Sequence, residues 1–554
     1  MNACKMKRLI LLLFVSTAFL FGPVNLVVAD YYDDVSKQLR LFNELYKRLV
    51  VNYVDQVDPD ALIQAGIDGM LETLDPYTVY LENEEQHGIR TLTDGEYGGI
   101  GLRLGVRNDT LTVIAPMDGT PAYRAGIQSG DRIVQIDTLM TTEMRLSKAA
   151  SVMRGKPGSV VTLTVVRPGY NERLPFALVR EVIAVHDVAY SGIIEDGIMY
   201  LKLTSFSKNS GDEIRDAIAM AGESNIRGFV LDLRDNPGGL LASALEIADL
   251  FVEPDKKILM TKGRDNKITQ VFHSRVTPVL SKDVPMAVLV NQGSASASEI
   301  VSGILQDLDR AVIIGHDTFG KGLVQTVMPL NRDASLKITT AKYYIPSGRL
   351  IQKEDYFRHN VIQTSSLSDS VFFTQNKRKV FGGGGITPDI ITTKDTLPVP
   401  VKSLWAKGLF FEYAVEYHNK HEDREWPFSI NEDIINDFVA YTDRKDFSFQ
   451  SKSARLFKEF QASLDSTTLS SAELNAAKQA FAAYFEGEGN WKEDPVVRRH
   501  IGIRLTQEFA STFAGTDAKT EATFLSDRSI KTALRTLSDQ PDYLERLGFA
   551  SSQE

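Results

Sequence analysis

Three serines stand at alternate positions in Val290-Asn291-Gln292-Gly293-Ser294-Ala295-Ser296-Ala297-Ser298-Glu299. An apolar run ends just before them, and the helical run IVSGIL follows. A serine at the mouth of such a helix meets unpaired N–H groups and the positive end of the dipole, both of which favour a developing oxyanion. A plainer reading competes: Ser296 is an N-cap, and Glu299 completes the capping box S-x-x-E. A second group tips the balance. Lys321 lies between two glycines in Thr318-Phe319-Gly320-Lys321-Gly322-Leu323-Val324-Gln325. Burial lowers a lysine's pKa, and a neutral amine can take the proton of a serine hydroxyl. Positions 321, 323 and 325 share one face of an extended strand, so Gln325 is placed to orient the amine. Without the serine motif, Lys321 would read as a surface lysine in a glycine loop. Spacing alone does not choose among Ser294, Ser296 and Ser298.

Other chemistries fit less well. Gly315-x-x-x-x-Gly320-Lys321 imitates a phosphate loop, but Gly322 replaces the serine or threonine that would hold magnesium. An apolar strand also follows where that loop needs a helix. The nucleophile elbow G-x-S-x-G is absent, since Ala295 stands two after Gly293. A Ser-His-Asp triad needs a histidine, and His316 is the nearest in sequence. None of the eight histidines falls in HExxH. His418 and His421 stand three apart, and we read them as exposed side chains on a charged helix, not as metal ligands. The single cysteine, Cys4, excludes an intramolecular disulfide, a cysteine zinc site and a four-cysteine iron–sulfur cluster. No metal or organic cofactor is expected. Sixty-two basic against 72 acidic residues leave a net charge of −10, which argues against a nucleic-acid partner.

These residues need a framework. A chain of 554 residues with 43% hydrophobic and 24% charged residues is an ordinary globular sequence, long enough for roughly three or four domains. Lys5, Lys7 and Arg8 precede an uncharged run from Leu9 to Ala29, and Val27-Val28-Ala29 offers small residues before Asp30. This is the pattern of a secretory signal peptide over 1–29. The alternative is an uncleaved membrane anchor, which Pro23 and Asn25 weaken. Cleavage would remove the only cysteine and send an enzyme without thiols to the cell envelope, the periplasm. Membrane contact follows only if the signal stays.

Residues 30–96 read as a helical lead. Val35, Leu39, Phe42, Leu45 and Leu49 form one helical face over Asp33–Val50, and a second helix is expected from Asp60 to Leu74. They either cover the body of the protein or join two subunits. From 97 to 182 the pattern turns to short strands and glycine turns: YGGIGLRL, LTVIAPM, GDRIVQID and SVVTLTVVR, with a short helix Leu146 to Met153. Gly99-Ile100-Gly101-Leu102, Ala125-Gly126-Ile127 and Gly130-Asp131-Arg132-Ile133 give this section a resemblance to a PDZ domain. Glycines let successive N–H groups face one concavity that takes a carboxylate, and a tail adds as a strand beside Leu102–Leu104. The third glycine of a dinucleotide loop would fall at Leu104.

Residues 183–400 alternate buried-looking strands with helices. GFVLDL and PMAVLV are continuous apolar runs, each followed by a glycine turn and a helix, so this is an α/β core. Residues 401–554 return to an amphipathic helical pattern, long enough for a domain of their own, with Ser470-x-x-Glu473 as a capping box and Gly487 as a stop.

GSASASEI, FGKGLVQ, LDLRDNPGGL and GGGITPD, in the context of the PDZ section, resemble the carboxyl-terminal processing (tail-specific) proteases of the S41 family, over roughly 33–395. The fold this implies is an α/β multidomain protein: a β-barrel-like PDZ domain, a ClpP/crotonase-like protease core and helical N- and C-terminal regions. The resemblance implies a serine endopeptidase with Ser296 as nucleophile, Lys321 as general base and Gln325 positioning the lysine. It further implies an oxyanion hole from the backbone amides of Gly239 and Ala297, and a preference for small or apolar C-terminal residues. Its substrates are proteins with free C-terminal tails, held by Gly99, Ile100, Gly101 and Leu102. It also implies that the PDZ unit restrains the enzyme until a tail binds. Whether the protein forms a homodimer or works with an adaptor stays open. The rival from another class is a non-catalytic PDZ scaffold that binds tails. Its mark would be loss of the serine or the lysine, and both are present.

Overall fold

Apolar runs without alternation form strands buried on both faces, and Gly228–Asp232, Met286–Val290 and Val312–Gly315 are buried at every residue. The structure is a computed structural model that describes residues 24–82, 93–107, 109–170, 172–331, 334–353, 370–393, 396–421, 423–465, 472–487 and 491–549. Its chain divides into a unit of residues 1–80 and a unit of residues 81–554.

In the larger unit six strands lie in the order Val188–Glu195, Ile198–Leu203, Gly228–Asp232, Met286–Val290, Val312–Gly315, Ile390–Ile391. The first pair is antiparallel and each later neighbour is parallel, with Leu231 opposite Val288 and Val288 opposite Ile313. Parallel neighbours need crossovers, and the helices Ser210–Ala221, Leu241–Asp249 and Ala297–Asp307 supply them. Ile214, Ile247, Ile300 and Ile304 from these helices pack with Met199, Leu201, Phe229, Leu231 and Val288 on one face of the sheet. The other face presents Tyr200, Val230, Ala287, Leu289 and Ile314, and it is covered by Ile530, Ala533, Leu537 and Tyr543. Each valine, leucine or isoleucine among them is worth about 1.5–3 kcal/mol when removed from water. The helix Arg528–Ser538, near the end of the chain, is therefore part of the core sandwich.

A second sheet pairs Leu323–Pro329 with Ala334–Tyr344, and Ala334–Tyr344 with Lys257–Lys262, which pairs in turn with Ile268–His273. Residues 102–179 build a sheet in the order Leu102–Arg107, Thr110–Pro116, Arg132–Ile136, Val160–Val166, Arg173–Val179. Its core gathers Ile100, Val113, Ile133, Leu163, Ala149 and Met153, the last two from the helix Leu146–Met153. Asp131 is fully buried and chelated by Arg167 through two bonds of 2.7 Å.

The helices Val399–Ala406, Leu409–Lys420, Glu432–Arg444 and Pro495–Phe524 enclose a core of their own around Phe410, Tyr413, Phe438, Ile501 and Phe509. The expected cap at Ser470 lies outside the described residues, and the helix there spans Ala472–Gly487. The smaller unit contains the helices Val24–Asn52 and Pro59–Leu71, the second capped by Asp58 and started by Pro59. The expected leader lies, through residue 23, outside the described residues. Among the described residues no helix is long and apolar enough to cross a membrane.

Candidate active site

Ser296 sits where the strand Met286–Val290 gives way to the helix Ala297–Asp307. As expected, it is the helix N-cap and Glu299 completes a capping box. Its backbone is not that of an ordinary cap. An N-cap normally has extended φ/ψ, whereas Ser296 has φ 53° and ψ −109°. A non-glycine residue in such a region costs on the order of 1–3 kcal/mol, so the surroundings must hold it there. The neighbouring serines are spent on structure. Ser294 is fully buried, donates to the Leu233 carbonyl at 2.8 Å and accepts from Asn291 N–H at 3.0 Å. Ser298 is fully buried and donates to the Asn236 carbonyl at 2.8 Å. Of the three serines, Ser296 alone retains solvent exposure.

Glu299 is the group that holds the strained turn. Its carboxylate is completely buried and accepts four bonds: Ser296 N–H at 2.8 Å, Lys321 N–H at 2.9 Å, Gly320 N–H at 2.7 Å and the Thr318 hydroxyl at 2.6 Å. Burial pushes its pKa up, and these four donors oppose that shift. Tyr343 forms a second clamp. Its hydroxyl lies 2.5 Å from the Lys321 carbonyl and 3.3 Å from the Ser296 carbonyl. Burial, with Glu299 nearby, holds the phenol pKa well above its ordinary value, so it remains a donor. Thr318 is itself seated by Ile386, whose N–H donates to its Oγ1 at 2.7 Å. That bond explains GGGITPD, since a Cβ on Gly385 would lie 2.7 Å from the same oxygen.

Lys321 Nζ donates to Gln325 Oε1 at 2.8 Å, and both residues are half-buried. The strand begins only at Leu323, and a register shift falls between Val324 and Gln325. Simple alternation along one strand is therefore not what joins the pair. Both glycines beside Lys321 are required by close approach: a Cβ on Gly320 would lie 2.7 Å from the Lys353 side chain, and one on Gly322 would lie 2.8 Å from Gln352 N.

The turn Asn236-Pro237-Gly238-Gly239 docks against the serine turn. Asn236 is buried; its Nδ2 donates to the Leu203 carbonyl at 2.9 Å, and its Oδ1 accepts Gly238 N–H at 2.9 Å. Its carbonyl accepts Ala295 N–H at 3.0 Å. Gly238 has φ 98°, and a Cβ there would meet Ala295 O at 2.7 Å, Ala297 N at 2.9 Å and Ser296 Cβ at 3.0 Å. A Cβ on Gly239 would meet Phe206 O at 2.3 Å. Ala297 is the first helical residue, where an N–H has no partner within the helix. The turn is tied back by Arg234, which chelates Asp232 at 2.6–3.0 Å and bonds Asp527 at 2.7 Å. Burial pushes Asp232 up, but the Arg234 guanidinium outweighs it and holds the carboxyl below its ordinary value.

Several expected residues stay apart from this cluster. His316 Nε2 is buried with no hydrogen-bond partner, so no serine hydroxyl bonds to it. Gly315 serves the sheet, since a Cβ there would lie 2.0 Å from Val290 O. His421 is exposed, as expected, and stacks on Tyr417 at 4.1 Å, whereas His418 is half-buried and meets Phe513 edge-on at 4.7 Å. Among the described residues no group of three or more acidic, histidine or cysteine side chains gathers as a metal site. Gly99 ends the strand Glu96–Gly99, which pairs with Glu181–Ala184; Ile100 and Gly101 connect it to Leu102, the first residue of the PDZ-section sheet. Leu102–Arg107 is the terminal strand of that sheet, paired on one side by Thr110–Pro116. Gly101 has φ 74°, and the carbonyls of Ile100 and Gly101 accept Ala122 N–H at 3.0 Å and Met117 N–H at 2.9 Å. The sequence reading missed three groups: Glu299 beyond its capping role, Tyr343, and the Arg234–Asp527 tie. LDLRD was visible as a motif, but nothing in it named a partner 293 residues away.

The chain matches four family models: peptidase family S41 over residues 197–362, a PDZ domain over 112–167, the C-terminal helical domain of a probable PDZ-protease over 401–537, and the N-terminal domain of the activating protease CtpB over 26–85. A carboxy-terminal-processing protease of Bartonella bacilliformis is 38% identical over 340 residues, 61% of this chain and 77% of that one. A probable CtpA-like serine protease of Staphylococcus aureus is 34% identical over 344 residues, 62% of this chain and 68% of that one. Among solved structures, a photosystem II D1 C-terminal processing protease aligns with 65% of this chain and 94% of its own at 24% identity and a TM-score of 0.35.

Proposed function

From the premise that the chain belongs to the carboxy-terminal-processing proteases of peptidase family S41, and so is a serine protease with a PDZ domain, we propose that it cleaves through a Ser296–Lys321 dyad. Neutral Lys321 takes the Ser296 proton while Oγ attacks the scissile carbonyl carbon. The amides of Gly239 and Ala297 hold the oxyanion. The resulting ammonium gives its proton to the leaving amine as the C–N bond breaks, which leaves an ester on Ser296. Lys321 then deprotonates a water, the ester bond breaks and the proton returns to Ser296. Gln325 keeps the amine aimed. The observation that carries this reading is the shared Glu299 carboxylate, which ties Ser296 N–H and Lys321 N–H at 2.8 and 2.9 Å. Family membership sets aside the non-catalytic scaffold.

In this reading the terminal strand Leu102–Arg107 takes the free C-terminal tail of a substrate protein as an added strand, with its carboxylate at Gly99-Ile100-Gly101-Leu102. Tail binding relieves a restraint that the PDZ unit places on the dyad. Residues 1–29 are an export signal and the mature enzyme works in the cell envelope; N-terminal sequencing of the mature protein tests this. The apolar face of Val24–Asn52, with Leu39 67% and Leu45 54% exposed, is what a second copy would cover in a homodimer.

The test is a tailed protein substrate incubated with wild-type, Ser296→Ala and Lys321→Ala enzymes, alongside the same substrate with an amidated C-terminus. Both variants should lose cleavage, and amidation should abolish it in the wild type. Undiminished cleavage by either variant sinks the dyad.

A further inference from the structure

Beside the loops that form the candidate active site, a cleft of about 900 Å³ opens between the core sheet and the C-terminal helices. Asp235 and Asn291 form its rim on the catalytic side. Asp235 N–H donates to Asn291 Oδ1 at 3.0 Å, and Asn291 Nδ2 donates to Asp235 Oδ1 at 3.0 Å. The two residues adjoin the oxyanion turn and the serine turn, and Gly293 packs against Asp235 so closely that a Cβ would lie 2.8 Å from its Cα.

The chemistry of the lining is unlike that of the whole chain. The protein carries a net charge of −10, yet seven lysine and arginine side chains and two carboxylates line this cleft. Arg234 is neutralised by Asp232 and Asp527, and Lys519 by Glu508. Lys202, Arg499, Arg504 and Lys531 form no salt bridge among the described residues. Arg504 Nε is buried without a hydrogen-bond partner. Asp232 and Glu508 act on Lys202 and Arg504 only from beyond salt-bridge distance, and Arg504 Nη1 is spent on Gln507 Oε1 at 2.9 Å. Gathering cations with so little contact counter-charge costs stability, and leaving a guanidinium N–H dry and unpaired costs more. Leu397, Ile503 and the 85% exposed Leu525 give the same cleft apolar footing.

We propose that this cleft is a substrate-binding extension of the active site that holds an acidic segment of the polypeptide being cut. The inference rests on the proposed protease reading and adds to it a substrate class. An inorganic anion would fill little of the volume and would not use the apolar lining. The rim adjoins the serine turn, so a polypeptide extended from Ser296 across Asp235 and Asn291 would enter the cleft, where its acidic side chains would meet cations that lack a salt bridge.

The experiment uses full-length Ser296→Ala protein, so that binding is read without cleavage. Two fluorescent peptides share one free C-terminal tail and differ upstream, where one carries glutamates and the other glutamines. Anisotropy should show the acidic peptide binding about tenfold tighter, about 1.4 kcal/mol, with the difference shrinking as salt rises. Adding Lys202→Gln, Arg499→Gln and Lys531→Gln together should bring the ratio to about one. Arg499→Gln alone, at an exposed site, should lower it in part and serves if the triple variant does not fold. Equal affinities, or a preference that survives the triple variant, overturn the proposal. So does displacement of the peptide by equimolar inorganic phosphate, which would reassign the cleft to a free anion. Wild-type cleavage of the glutamine peptide separates the two readings: if it is cut while no acidic preference appears, the protease reading stands and the cleft assignment falls.

Discussion

Replacing Glu299 with glutamine tests whether the dyad is assembled by a buried carboxylate. The present geometry assigns two donors to each oxygen: Thr318 Oγ1 and Gly320 N to Oε1, and Ser296 N and Lys321 N to Oε2. A glutamine can accept on one side only. If its oxygen keeps Ser296 and Lys321, its amide nitrogen faces both Gly320 N–H and the Thr318 hydroxyl; the hydroxyl can turn, but the buried Gly320 N–H is left without an acceptor. That costs about 1–3 kcal/mol, and the remaining bonds weaken because the acceptor is no longer charged. The relieved burial of a charge offsets part of this. If about 3 kcal/mol of the loss is felt in the transition state, kcat falls about 10²-fold. The assay is single-turnover cleavage of a tailed peptide under saturating enzyme, with thermal unfolding measured in parallel. The expected result is that large fall in kcat with tail affinity unchanged, because the PDZ sheet makes none of these bonds. A folded Glu299→Gln enzyme within threefold of the wild-type rate would refute the positioning argument.

Three further predictions follow from the same region. Gly238→Ala places a methyl 2.7 Å from Ala295 O at φ 98°, so cleavage should fall by at least 10²-fold while tail binding, read by anisotropy, persists. Asp527→Ala leaves Arg234 with one carboxylate and uncaps the helix Arg528–Ser538. At these partly buried sites the loss should be about 1–3 kcal/mol of stability, seen as a lower Tm together with a lower kcat; an unchanged Tm and kcat would show that the tie is idle. Asp232 has a folded pKa below its ordinary 3.8, so its contribution is complete above that pH and is lost as pH falls through the lower value. Acid unfolding should therefore steepen below about pH 4, and Asp232→Asn should flatten that limb.

Much of this architecture is legible in the residues because several signals coincide. GFVLD and MAVLV lack alternation, and only strands covered on both sides tolerate that. Lys321 between glycines reads as a constrained loop because each glycine marks a place where backbone or side chain comes too near for a Cβ. The three serines, by contrast, differ only in burial, and burial depends on Leu233 and Asn236, which lie some sixty residues away in the chain. Glu299 matches an ordinary capping box, and the local pattern is correct. What it omits is that the same carboxylate also collects Gly320 and Lys321, a tertiary arrangement with no local signature. The helix Arg528–Ser538 is amphipathic by pattern, but a pattern of that kind names a face and not its partner. Only the fold shows that Ile530, Ala533 and Leu537 close the second side of the protease sheet. The half-burial of His418 escapes the sequence for a related reason: the ring it meets, Phe513, lies nearly a hundred residues away, whereas His421 is exposed as its charged surroundings suggest.

The most direct measurement is intact-mass analysis of the full-length enzyme after reaction with a fluorophosphonate, followed by peptide mapping. The dyad account predicts one adduct per chain, on Ser296, with labelling slowed by at least 10²-fold in Lys321→Ala and absent in Ser296→Ala. An adduct on Ser294 or Ser298, or labelling of Ser296 at an undiminished rate without Lys321, would contradict it.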